Sequence, residues 1–119
     1  MVINGIGIIF GSYAKMCAGM CVSPNDIDVL VSKDTFINTK GEDISSHIKK
    51  VGEYRNLPIE ICMWDDDYIY TKLLESNYMS INKDIGVYMV NKSGIGYMSM
   101  LMGIYSTKHR LDNHYYGVI

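Results

Sequence analysis

Three stretches decide the fold: Ile6-Gly-Ile-Ile-Phe10, then Gly11-Ser-Tyr-Ala-Lys15, then Pro24-Asn-Asp-Ile-Asp-Val-Leu-Val31. The first is a short apolar run, which reads as a buried strand. Gly11-Ser12 ends it. The Ser12 hydroxyl can accept an orphan backbone N–H, so Ser12 is the expected cap of a helix through Tyr13–Ala18. Gly19 weakens that helix and Ser23-Pro24-Asn25 ends it. Ile27–Val31 is apolar and β-branched, a second strand. Side chains on a strand alternate, so Asp26 and Asp28 share one face while Ile27 and Val29 point into a core.

Outward from this unit, residues 33–43 are polar and read as a loop. Ile44, Ile48 and Val51 recur at helical spacing, so a short amphipathic helix is expected over Ile44–Tyr54, capped by Asp43 or Ser45. Asn56-Leu57-Pro58 breaks it. Ile59–Trp64 reads as a third strand. Asp65-Asp66-Asp67 suits the first turn of a helix, where carboxylates meet the positive end of its dipole. That helix runs from Tyr68 to about Tyr78, with Ile69, Leu73 and Leu74 on one side. Residues 84–91 fit a strand or a helix. Gly94–Ser106 places Met98, Leu101, Met102 and Tyr105 at helical spacing, as core or as a self-association face. The order β-α-β-α-β-α plus a C-terminal unit implies an α+β domain, a small mixed sheet with helices packed on it.

Composition bounds the rest. A chain of 119 residues is one domain, with a motif core over 6–64 and a C-terminal helical unit, for substrate or interaction, over 65–119. Hydrophobic content of 48% with two prolines argues for a folded globule. A net charge of -2 lacks the basic field of a dedicated nucleic-acid binder. Cys17, Cys21 and Cys62 are odd in number and form no disulfide framework, so a reducing, cytoplasmic setting is the expectation. Cys17 and Cys21, four apart, read as core packing, and the three cysteines and three histidines lack zinc spacing. Met1–Gly11 lacks the basic start of a signal peptide, and no apolar run is long enough to span a membrane. Lys108, His109, Arg110 and His114 gather near the end as a solvated basic cluster.

The chemistry lies in three features taken together. Gly11-Ser12, at a strand-to-helix junction, can present backbone N–H groups to a phosphate. Asp26 and Asp28 repel one another unless a cation lies between them. Mg²⁺ favours a few carboxylate oxygens together with substrate phosphates. Glu60, an acid within the apolar run Ile59–Met63, joins the same face if its strand neighbours Ile27–Val31; Asp65 and Asp66 are rivals for the role of third acid. A phosphate turn with three acids suits two-metal phosphoryl or nucleotidyl transfer.

Phe10-Gly-Ser-Tyr-Ala-Lys15 followed by Pro24-Asn-Asp-Ile-Asp-Val-Leu-Val31 resembles the nucleotidyltransferase superfamily of DNA polymerase β, and its small, single-domain minimal nucleotidyltransferase branch most. The resemblance implies a nucleotidyltransferase fold. It also implies that Gly11 and Ser12 hold a triphosphate and that Asp26, Asp28 and Glu60 hold two Mg²⁺ ions. Lys15, the nearby cation, is a candidate phosphate contact. The implied activity is transfer of a nucleoside monophosphate from an NTP, with ATP the expected one, to an acceptor hydroxyl with release of pyrophosphate. The alternative is an antitoxin-like or degenerate domain of the same fold that acts by binding a protein. The expected partners are a nucleotide and either a protein or a second copy of the chain; the charge does not point to a nucleic-acid acceptor.

Overall fold

The structure is a computed structural model that describes residues 3–115, with side chains described for residues 3–106. Seven strands form one mixed sheet in the order β3-β4-β5-β2-β1-β7-β6. In chain order the elements are β1 (Ile8–Phe10), α1 (Gly11–Cys17), β2 (Ile27–Leu30), α2 (Lys33–Asn38), β3 (Glu42–Ser45), β4 (Ile48–Tyr54), β5 (Leu57–Cys62), α3 (Tyr68–Glu75), β6 (Met79–Asn82), β7 (Val87–Val90) and α4 (Lys92–Tyr115). The expected single mixed α and β architecture is present, with a larger sheet than the sequence suggested.

The centre of the sheet is the apolar part of the sequence. β1 runs antiparallel to β2 and parallel to β7, and β2 runs parallel to β5. Ile8, Ile9, Ile27, Val29, Leu30 and Ile61 from these strands are fully buried. Tyr13 and Ala14 of α1, Ile69 and Leu73 of α3, and Met98 and Leu101 of α4 pack into the same core. Each such buried aliphatic side chain contributes about 1.5–3 kcal/mol. No helix among the described residues is long and apolar enough to cross a membrane.

The structure corrects several expectations. Residues 33–43 are not all loop. Ser32 caps α2 by accepting a hydrogen bond from the Thr35 backbone N–H at 3.2 Å. At its other end Lys49 Nζ donates to the carbonyls of Phe36 (2.6 Å) and Thr39 (3.1 Å), satisfying acceptors a helix end leaves open.

Residues 44–54 are not a helix but the end of the first strand, the turn and the second strand of a hairpin. Glu42 pairs with Lys50 and Asp43 with Lys49 across β3 and β4, opposite charges facing one another. Ile44 is exposed, so its helical spacing to Ile48 and Val51 marks no common face. Arg55 and Asn56 then form the two-residue turn between β4 and β5, both with positive φ (49° and 66°), the signature of a type I′ hairpin turn.

Ser12 does not cap α1. The helix starts two residues earlier than expected, at Gly11, with Phe10 at the cap position and no side-chain cap. Nor do Cys17 and Cys21 pack in the core: α1 ends at Cys17, and both thiols are exposed. α3 stops at Glu75, short of Tyr78, because Ser76 Oγ donates back to the Leu73 carbonyl at 2.7 Å; Leu74 lies on the exposed side. The ambiguous 84–91 stretch contains a strand, β7, and pairs with an unforeseen edge strand, β6. In α4, Met98 and Leu101 are buried as expected, Tyr105 is half-buried, and Met102 is exposed. The side chains of Lys108, His109, Arg110 and His114 lie outside the described residues.

Candidate functional site

One cross-strand row organises the site. Glu42 faces Lys50, Lys50 faces Glu60, Glu60 faces Asp28, and Asp28 faces Phe10. Residues directly opposite one another in a sheet share a face, so five strands contribute to one line of side chains. The period-2 alternation of β2 adds Asp26 to that line and keeps Ile27 and Val29 on the far side, where both are fully buried.

Asp26, Asp28 and Glu60 come together. Each offers one carboxylate oxygen, and the three oxygens lie within 4.8 Å of one another. All three residues are half-buried. Of the rivals for the third position, Asp65 instead accepts a hydrogen bond from His47 Nε2 at 2.8 Å, and Asp66 accepts one from the Tyr68 backbone N–H at 3.0 Å. Parallel pairing of β2 with β5 is what selects Glu60, because it sets Asp28 and Glu60 side by side.

Crowding and burial raise the proton affinity of Asp28 and Glu60. Burial, then the charge of Asp26 and a hydrogen bond to it, then the charge of Glu60, push Asp28 up to about 7. Glu60 also rises, through burial and the Asp26 charge, against an opposing pull from Lys50. Lys50 itself is held by Glu53 at 2.9 Å. The adjacent Cys62 thiol is pushed up to about 12 by burial and then by the three carboxylates, so it stays protonated and is no nucleophile. The carboxylate set supplies hard oxygen donors of the kind that bind Mg²⁺ or a similar divalent cation.

Gly11 touches this cluster directly. Its φ is +72°, a left-handed conformation that glycine adopts without penalty, and a Cβ built on it would lie 3.2 Å from Asp28 Oδ2. A side chain at position 11 would therefore press on the acid row. Ser12 follows in the first turn of α1, half-buried. Lys15 is one helical turn further on and lines a pocket with Phe10 and Gly11. The Phe10 ring also meets that of Trp64, 6.1 Å between centroids.

Sequence reasoning missed Lys50 and Phe10 as neighbours of the acids. Lys50 was hidden by reading 44–54 as a helix; the pattern Glu42-Asp43 against Lys49-Lys50 was the available signal for a hairpin. Phe10 required the register of β1 on β2. Comparison of the chain with known protein families, with curated proteins and with solved structures finds no match.

Proposed function

We propose that this domain is a divalent-cation-dependent nucleotidyltransferase of the DNA polymerase β type, moving a nucleoside monophosphate from an NTP, ATP foremost, to an acceptor hydroxyl. The observation that carries the reading is the gathering of Asp26, Asp28 and Glu60 within 4.8 Å, beside Gly11. Like charges that close, in half-buried positions, are costly for the metal-free protein and favourable around a cation.

Asp26 and Asp28 would hold two Mg²⁺ ions, and Glu60 would complete the site on the acceptor side. Bound Mg²⁺ supplies neutralisation of phosphate charge and a lowered pKa for the attacking hydroxyl. The reaction joins the acceptor oxygen to the α-phosphorus and breaks the bond from that phosphorus to the oxygen bridging it to the β-phosphate. Pyrophosphate leaves, and Glu60 takes the acceptor proton. Gly11, lacking a side chain, lets the triphosphate approach the backbone beside Ser12, and Lys15 lies one turn away.

The test uses labelled NTPs, Mg²⁺ and a panel of hydroxyl acceptors, with Asp28→Ala alongside. Transfer or binding that requires Mg²⁺ and disappears in the variant is the expected result. Nucleotide binding indifferent to Asp26 and Asp28 sinks the reading.

A second reading is a domain of the same fold that works by binding a protein. The exposed apolar side chains of Met100, Met102 and Ile104 on α4 favour it. Thermal stabilisation by Mg²⁺-ATP separates the two, since a ligand of the folded state must raise its stability.

A further inference from the structure

A pocket of about 200 Å³ opens beside the acid row, lined by residues of β1, α1, β7 and α4. Phe10, Ile95 and Met102 form its apolar walls, and Lys15 and Ser99 supply its polar groups. Gly11 belongs to both surfaces: it lines this pocket and it abuts Asp28. The pocket and the acid row therefore meet at Gly11.

Size and chemistry restrict what fits. Complete small-molecule sites run to roughly 300–1,000 Å³, so this pocket takes one portion of a larger molecule. A phenyl ring and a thioether make favourable contacts with a flat π-system, and the methionine adapts its shape to one. The Lys15 ammonium donates hydrogen bonds and the Ser99 hydroxyl donates or accepts, which suits ring nitrogens and exocyclic groups. A molecule that fills both spaces has a charged end at the acid row and a planar, heteroatom-bearing end in the pocket.

We infer that this pocket seats the heteroaromatic base of the nucleotide. The inference rests on the nucleotidyltransferase reading and adds the place where the base is held. It also assigns α4 a direct part in substrate binding through Ile95, Ser99 and Met102.

Ser99 is exposed on α4, so Ser99→Trp adds a ring at the pocket without opening the core. Mg²⁺-ATP and Mg²⁺-tripolyphosphate are titrated by calorimetry into the native chain and into Ser99→Trp. Loss of base stacking weakens ATP about tenfold or more while tripolyphosphate binds both proteins alike. Unchanged ATP affinity in Ser99→Trp overturns the base pocket while leaving the nucleotidyltransferase reading intact. Failure of both probes to bind the native chain overturns the two together. Should Ser99→Trp lose both probes, methyl NMR of the native chain labelled at methionine decides: ATP, and not tripolyphosphate, shifts the Met98 and Met102 methyls if the base lies there, and methyls elsewhere if it does not.

Discussion

Strand β2 carries two kinds of side chain in four residues and the one before them. Ile27 and Val29 are fully buried and anchor the strand in the core. Asp26 and Asp28, on the opposite face, do the reverse: they are half-buried beside Glu60, and their mutual repulsion works against the fold. Further along that acidic face Leu30 is buried again, so the charge is confined to one end of the strand. The difference separates a residue kept for stability from one kept despite its cost. A stability-driven choice at position 28 would be neutral.

The largest expected effect tests that separation. On the nucleotidyltransferase reading, Asp28→Asn removes charge from the cation site at nearly constant shape. Loss of roughly 4 kcal/mol of transition-state stabilisation, about a thousandfold in kcat/KM, is expected in a nucleotide-transfer assay. The same variant should melt above the native chain in metal-free buffer at pH 8, since it no longer confines a carboxylate there. A variant that lost stability as well as activity would erase the contrast between the two faces.

Ile27→Ala is the mirror experiment. Truncating a fully buried isoleucine costs about 2–5 kcal/mol, read as a lower midpoint in urea unfolding. Enough native protein at 10 °C should retain Mg²⁺-ATP affinity, because no atom facing the acids has changed.

The pH dependence sharpens the same comparison. Asp28 titrates near 7 in the folded chain and near 4 when unfolded, so the native state binds the extra proton between those values. Stability contributed by this group is fully present below about 4 and is lost as pH rises toward 7. Glu60 shifts in the same direction. Metal-free native protein should therefore lose more in Tm between pH 5 and pH 8 than Asp28→Asn does, and Mg²⁺ should stabilise the native chain most above pH 7. Parallel pH curves for the two proteins would show that Asp28 carries no such strain.

These contrasts were partly legible in the sequence. The apolar runs of β1, β2 and β5 announce themselves because their burial is written into consecutive residues. Asp26 and Asp28 follow from period 2 alone. Glu60 follows only on the condition that β5 lies beside β2, a fact about sheet order that no local pattern holds. Residues 33–54 failed for a related reason. α2 has six residues, too few for periodicity, and depends on Ser32 at one end and Lys49 from a distant strand at the other. β3 and β4 are joined by charge pairs eight and six residues apart in sequence, while Ile44 faces water and mimics a helical spacing. β6, an edge strand in which Asn82 is the buried residue, lacks the alternating apolar pattern that would reveal it.

Gly11→Ala probes the boundary between the two regions. The left-handed φ of +72° costs a non-glycine residue about 1–2 kcal/mol, and the added Cβ meets Asp28 Oδ2 at 3.2 Å. Stability should fall by about that amount, and Mg²⁺-ATP affinity should fall with it. A loss confined to stability would mean that the glycine serves the chain alone.

The smallest effect is expected far from the acids, at the β4–β5 turn. Arg55 and Asn56 both adopt positive φ in a two-residue loop for which Asn-Gly is the favoured pair. Asn tolerates this conformation better than most residues, and glycine adopts it freely. Asn56→Gly should therefore change stability by about 0.5–1 kcal/mol or less, in the favourable direction, with the gain partly offset by the greater freedom glycine brings to the unfolded chain. Nucleotide affinity should not move, although the turn lies at the end of the strand that carries Glu60. If affinity did move, β5 would be setting the position of Glu60 through its hairpin as well as through its pairing with β2, and the acid row would depend on the outer strands as much as on the buried ones.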